Sequence, residues 1–176
     1  MLFRSWDLPE SIGEAKHLLM NLSMIDYWLG VAHAAASNDS LAFHHWKQAA
    51  TVRADFQQMQ VHSISDTTYW SGKALTKLRR DDEARRVFRE IFEYSLELER
   101  QTPQIDYFAT SLPTMLLFEE DLVLRQEISA KFLRAQALVG LGQLEEGTAL
   151  LHEVRKLDAN HSGAADLLST IEMAVI

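Results

Sequence analysis

The chain has 176 residues, 47% of them hydrophobic and 24% charged, which suffices for one globular domain with its own core. Zero cysteine excludes disulfides, a thiol nucleophile and any cysteine-bearing zinc site, and fits a reducing, cytoplasmic setting. A net charge of −8, with no apolar run near the ~20 residues that span a bilayer, argues against nucleic acid and membrane as partners.

The opening Met1-Leu2-Phe3-Arg4-Ser5-Trp6-Asp7 lacks the basic-then-apolar layout of a secretory signal. It opens no structural element either, so a longer parent protein is expected upstream. Beyond it, apolar spacing is helical nearly everywhere. A first helix is expected over 10–21, after Pro9, with Ile12, Ala15, Leu18, Leu19 and Leu22 on one face. Ser23 and Asp26 read as a capping box opening a second helix that runs to about residue 36. Ser37-Asn38-Asp39-Ser40 then turns the chain, and a partner helix is expected from 41 towards 59.

A second pair starts at Ser65 and Asp66; its first helix ends near Leu78. Asp81-Asp82-Glu83 opens the next helix, where negative charge suits the N-terminus. Ala84, Val87, Phe88, Ile91 and Phe92 form its apolar stripe, opposite Arg85, Arg86, Arg89, Glu90 and Glu93. An apolar insertion follows over about 95–127, bent near Pro113 and ending in Glu119-Glu120-Asp121. A third pair, about 128–157, carries Ile128, Phe132, Ala135 and Leu138, turns at Gly140-Leu141-Gly142, and continues through Leu144, Leu151, Val154 and Leu157. A capping helix over about 160–174 ends the array.

One pattern organises these elements. Tyr27-Trp28-Leu29-Gly30 is followed by Ala42, Trp46 and Ala49, and Tyr69-Trp70-Ser71-Gly72 by Ala84, Phe88 and Ile91. In both, glycine to alanine is twelve residues and alanine to the ring is four. Two antiparallel helices with small residues at the crossing and a ring beside them fit that spacing. In the third pair Ala135 stands in the glycine position and Gly147 in the alanine position. Corresponding positions Gly30, Gly72 and Ala135 lie 42 and 63 residues apart, so either the second helix of unit one or its exit loop through His62 is extended. The expected fold is all-α, an array of three antiparallel helix pairs over about 23–59, 65–98 and 128–157.

Leu29, Gly30, Ala42, Trp46 and Ala49, then Gly72, Ala84 and Phe88, then Gly142 with Leu157-Asp158, resemble tetratricopeptide repeats. Ala159 departs from that pattern, which usually has proline there. Nearly the whole chain, through Pro9-Glu10-Ser11-Ile12-Gly13-Glu14-Ala15-Lys16, Ile105-Asp106-Tyr107-Phe108-Ala109, Ser111-Leu112-Pro113 and Asn160-His161 with Gly163-Ala164, resembles a more specific group. These are the C-terminal helical-repeat regions of large bacterial proteins whose N-terminal part is a carbohydrate-related domain of unknown function. The resemblance implies a superhelical repeat module attached to, or separated from, a carbohydrate-acting partner; it does not imply that this segment has chemistry of its own.

No catalytic, cofactor or metal site is expected. His44 and His45 are adjacent, so on a helix they point about 100° apart, and His17, His33, His62, His152 and His161 are scattered. Glu119, Glu120 and Asp121 are chain neighbours and do not face each other as glycosidase carboxylates do; they read as an acidic helix start. Asp106 beside Tyr107 reads as a buried structural tether. The basic group Lys77, Arg79, Arg80, Arg85, Arg86 and Arg89 is interleaved with acids and reads as a solvated face.

In tetratricopeptide arrays the first helix of each unit lines a concave groove. Carried over, this places Met24, Tyr27, Val31 and Ala35, then Asp66, Tyr69, Lys73 and Lys77, then Phe132 and Gln136, towards a partner protein or peptide. The aromatics and two lysines suit an acidic segment with an apolar anchor, or a domain of the parent protein. The expected function is therefore a non-catalytic interaction scaffold. The alternatives are a homo-oligomerisation module, giving a homodimer through Trp28, Trp46 or the 105–118 stretch, and an accessory domain of a glycoside-acting enzyme.

Overall fold

In a computed structural model of the chain, the described residues are 21–52, 55–57, 60–103 and 121–175. The expected helix over 10–21 and most of the apolar insertion, with Asp106, Tyr107, Pro113, Glu119 and Glu120, lie outside them. Among the described residues there are seven α-helices and two short strands: α1 Ser23–Ala35, α2 Asp39–Thr51, β1 Asp55–Gln57, β2 Gln60–His62, α3 Thr68–Lys77, α4 Asp81–Arg100, α5 Leu122–Gly140, α6 Leu144–Leu157 and α7 Ser162–Val175. Helix packed on helix forms the core, and each helix packs on the next along the chain, apart from the strands inserted between α2 and α3.

Three helix-to-helix turns share one geometry. Ser37, Arg79 and Gly142 take φ of 59°, 60° and 86°, directly after α1, α3 and α5. The amides of Asn38, Arg80 and Gln143 donate back to the carbonyls of His33, Leu75 and Leu138, and those of Ser37, Arg79 and Gly142 to Ala34, Thr76 and Val139. This is the Schellman arrangement, which satisfies carbonyls left over at a helix end. Its three copies are 42 and 63 residues apart, the offsets that separate Gly30, Gly72 and Ala135. Only the third copy uses glycine, although the left-handed region costs an L-residue roughly 1–2 kcal/mol. Arg79→Gly is accordingly expected to raise stability by up to about 1 kcal/mol, after the greater freedom of glycine in the unfolded chain. A urea titration showing a loss instead would count against this turn.

Small residues let the paired helices close up. Ala42, Ala49, Ala84 and Ala135 are buried. A Cβ on Gly30 would lie 2.9 Å from Trp46 Cε2, and one on Gly72 would lie 2.7 Å from Phe88 Cζ. Across the third pair, a Cβ on Gly147 would meet Val139 Cγ2 at 2.7 Å and the Ala135 carbonyl oxygen at 3.2 Å. An alanine methyl there would press into the Val139 side chain and crowd the α5 backbone, and glycine in place of the Ala42 and Ala84 pattern avoids both.

The rings beside these crossings also join successive pairs. Phe88, buried on α4, faces Gly72 of its own pair and Gly140 of the next, where an added Cβ would lie 2.6 Å from Phe88 Cγ. Trp46 has the same role in the preceding pair, beside Gly30 and under the Lys77 ammonium, 5.9 Å from its ring centroid. Lys77 and Gly140 each stand five residues after the crossing positions Gly72 and Ala135. That position is therefore a contact between pairs rather than within a single pair.

Several boundaries differ from the sequence expectation. Helix α2 stops at Thr51 rather than running towards Met59, with Val52 extended and its carbonyl accepting from the Ser71 hydroxyl at 3.1 Å. The strands that follow, Asp55-Phe56-Gln57 and Gln60-Val61-His62, pair antiparallel with Phe56 opposite Val61. Both alternate polar and apolar residues, which is a strand signature. Helix α4 extends to Arg100 and α5 begins at Leu122, narrowing the expected 95–127 insertion from both sides. The Ser23–Asp26 capping box does not form. Leu22 is the N-cap, the Ser23 amide donates to Asn21 Oδ1 at 2.9 Å, and the Ser23 hydroxyl donates to the Thr67 carbonyl at 2.8 Å. Helix α3 likewise starts at Thr68 rather than at Ser65 or Asp66. Asp121 does open α5, its Oδ1 accepting from the Leu124 amide at 3.0 Å.

No helix among the described residues is long and apolar enough to cross a membrane.

Candidate functional site

Helix α3 is held from both sides. Ser23 at the start of α1 reaches the Thr67 carbonyl, and Gln136 on α5 donates Nε2–H to the Asp66 carbonyl at 3.0 Å, so one short polar segment ties three helices together. Within it the Ser65 amide donates to Thr68 Oγ1 at 2.9 Å, and the Ser65 and Thr67 hydroxyls lie 2.7 Å apart. Four direct hydrogen bonds around a helix start fix the direction in which α3 presents its side chains. Gln136 is itself buried, and its Oε1 has no hydrogen-bond partner among the described residues.

Along α3, Tyr69, Lys73 and Lys77 follow each other at four-residue steps on one face. Tyr69 is buried, and desolvation, with the nearby Tyr27 phenol second, holds its hydroxyl neutral well above the usual phenol range. Its ring lies 5.7 Å from Phe88 and 5.2 Å from Trp70. The series continues outward through Tyr27, 5.1 Å from Trp70, to Trp28, 5.3 Å from Tyr27 and 5.4 Å from Trp70. This run of rings passes from the core to the surface, where Trp28 is 42% exposed and Met24, one turn earlier, 43%.

Lys73 is half-buried, and its ammonium is pulled below the ordinary lysine range, first by desolvation and then by the positive charge of Lys77. Among the described residues no carboxylate pairs with either lysine. That is unusual in a chain with 25 acidic residues against 17 Lys and Arg. Elsewhere, basic groups at helix contacts have found acids: Lys131 sits 2.6 Å from Glu153 and 3.7 Å from Glu127, Arg134 pairs with Glu99, and Arg80 grips Glu83 with two hydrogen bonds. Two like charges four residues apart on a helix repel by roughly 0.2–0.5 kcal/mol. The α3 face therefore carries concentrated, partly desolvated positive charge next to aromatic surface.

Of the residues assigned to a groove from sequence, Tyr27, Tyr69, Phe132 and Gln136 are buried between helices and offer little free surface. Val31 and Lys73 are half-buried, and Asp66, Lys77, Met24 and Ala35 are exposed. What the structure brings together is the Lys73–Lys77 pair with Trp46 beneath it, and the Met24–Trp28–Trp70 surface. In the sequence Trp28 and Trp70 stand out as repeat markers, and Trp28 as a candidate for self-association, but not as neighbours. Their recurrence in both Tyr-Trp-x-Gly motifs is the signal that they meet.

Three of the histidines, His33, His44 and His45, meet ring against ring. His45 Nδ1 lies 2.9 Å from Asp26 Oδ1 and so carries the proton between them, while its ring stacks on His33 at 5.4 Å and 4°. His44 projects at 77° to His45. Among the described residues no group of three or more His, Cys, Asp or Glu side chains is placed to hold a metal ion. One recess of about 240 Å³ opens between the second and third pairs, lined by Thr76, Asp81, Ala84, Arg85, Phe88 and the 140–142 turn. That is smaller than typical ligand pockets of about 300–1,000 Å³.

Set against known proteins, the chain is matched by no protein-family model and by no solved structure.

Proposed function

We propose that this chain is a non-catalytic docking scaffold of the tetratricopeptide type, whose α3 face receives an acidic protein or peptide segment with an apolar anchor. The single observation that carries the reading is the pair Lys73 and Lys77. An ammonium that is partly desolvated, repelled by a neighbour and without an acid among the described residues is one that an incoming carboxylate relieves. The Trp46 ring under Lys77, and the Trp28–Trp70 surface farther along, give the same partner an apolar seat. The partner segment belongs either to a separate protein or to the carbohydrate-related parent that the sequence resembles.

A fluorescence-polarisation titration with a short Asp/Glu-rich peptide carrying one Phe tests the reading. Binding is expected in the range of about 10–100 µM, weakened about three- to tenfold by Lys73→Ala or Lys77→Ala, and weakened further by added salt. Affinity indifferent to both substitutions would remove the site. Lys73→Met is also expected to leave the fold as stable or slightly more so, because it removes a like-charge contact.

A self-association reading draws on the exposed Met24 and Trp28 of α1 and Leu41 and Phe43 of α2. Light scattering separates the two: a mass that stays monomeric as concentration rises rejects self-association and leaves the docking reading standing.

A further inference from the structure

Helix α7 is capped by a histidine. The Ala165 amide donates to the His161 carbonyl at 3.2 Å, which makes His161 the residue where the helix begins. The Ala164 amide donates to His161 Nδ1 at 3.1 Å. A backbone N–H can only donate, so this bond dictates that Nδ1 is the bare, lone-pair nitrogen and that any ring proton sits on Nε2. His45 is the opposite case: its Nδ1 faces a carboxylate oxygen and must carry hydrogen, so a second ring proton leaves that contact intact.

The cap is also the docking point. The His161 ring packs on Phe132 of α5 at 4.5 Å, and two residues on, a Cβ at Gly163 would lie 2.8 Å from Phe132 Cζ. Imidazole and glycine thus seat the first turn of α7 on one ring. Ala164, Leu167 and Leu168 behind them are buried and belong to the core.

We propose that His161 is an acid-sensitive latch: it holds α7 docked while Nδ1 is unprotonated, and proton uptake at Nδ1 releases the first turn of the helix from Phe132. A proton on Nδ1 and the bond from Ala164 exclude one another, and the resulting cation stands at a helix N-terminus, where the macrodipole disfavours positive charge. The docked state needs a bare Nδ1 to accept from Ala164 and the released state does not, so acid is expected to weaken docking. Charged groups on the surrounding elements are Asp158 on the preceding turn, Arg155 and Lys156 in the last turn of α6, Asp166 on α7, and Lys131 on α5. Asp158 Oδ1 already accepts from the Asn160 amide and Lys131 is taken by Glu153 and Glu127, and His161 makes no ion pair among the described residues. The latch is independent of the α3 face. It sets whether the Phe132 face beneath α7 is covered or open.

Hydrogen exchange on the whole chain, corrected for the intrinsic pH dependence of amide exchange, tests this at about pH 7.5 and about pH 5.5. Protection over 162–168 is expected to fall about fivefold, the size of one lost N-cap, while that of α4 holds. His161→Asn retains a capping oxygen and cannot titrate, so its α7 is expected to show no such fall. Wild-type α7 protection that does not change with pH, or that falls equally in the Asn variant, overturns the latch. Because Asn also removes the ring from Phe132, the nitrogen resonances of His161 in the unaltered protein give a second readout. A bare Nδ1 at the higher pH is expected, and an Nδ1–H tautomer overturns the proposal.

Discussion

Phe88→Ala is expected to cost about 3–5 kcal/mol, a large part of the roughly 5–15 kcal/mol that holds a typical domain together. The ring is fully buried and touches two helices besides its own, α3 through Gly72 and α5 through Gly140. Both neighbours are glycines, so no side chain there can swing in to fill the space, and the cavity term should be felt nearly in full. Tyr69 loses a ring contact as well. Urea denaturation checks this directly. A loss below about 1.5 kcal/mol would mean that the two joints do not share this ring.

The second large effect runs against helix propensity. Alanine normally improves on glycine in a helix by about 0.5–1 kcal/mol. At Gly140 the order should invert, because the new methyl meets the body of a ring that is itself enclosed, and overpacking of this kind costs about 1–3 kcal/mol. The inversion depends on Phe88, so combining Gly140→Ala with Phe88→Leu should cost less than the sum of the two changes. Additive losses in that cycle would show that the glycine matters for some reason other than the ring.

Helices were legible wherever an apolar stripe ran unbroken. Asp81-Asp82-Glu83 with Ala84, Val87, Phe88 and Ile91 marks the start and buried face of α4 without ambiguity, and the structure begins α4 at Asp81. Turns were less fully legible. Gly142 announces its conformation, whereas Ser37 and Arg79 adopt the same one against their intrinsic preference because the helices on either side are fixed by packing. Phe56 falls within the helix expected to run towards Met59 and Val61 within its exit loop, because three-residue strands leave too short an alternation to compete with neighbouring helical spacing. Ser23 has the sequence of a cap but spends its hydroxyl on Thr67, 44 residues away, which no local pattern encodes.

The candidate site was legible at the level of residue type. The resemblance to tetratricopeptide repeats pointed to α3 with Tyr69, Lys73 and Lys77, yet their depth did not follow from spacing. Tyr27 and Tyr69 turn inward because Trp70 and Phe88 offer them ring contacts, while Lys73 is half-buried and Lys77 exposed, with no carboxylate paired to either among the described residues. Gly140 read as belonging to a turn, when its position five residues after Ala135 makes it the counterpart of Lys77. At one joint that position is a lysine above Trp46, and at the next it is a glycine against Phe88. The first joint thus closes with a charged, exposed contact and the second with a buried ring.

The most direct test of the account is to follow the backbone amide and lysine side-chain resonances of the chain as the acidic, Phe-bearing peptide is added. Saturable shifts centred on Lys73, Lys77 and the Trp46 indole, and absent from the α5–α6 outer face, are the predicted result. Shifts that bypass α3, or that persist unchanged when both lysines are replaced by alanine, would contradict it.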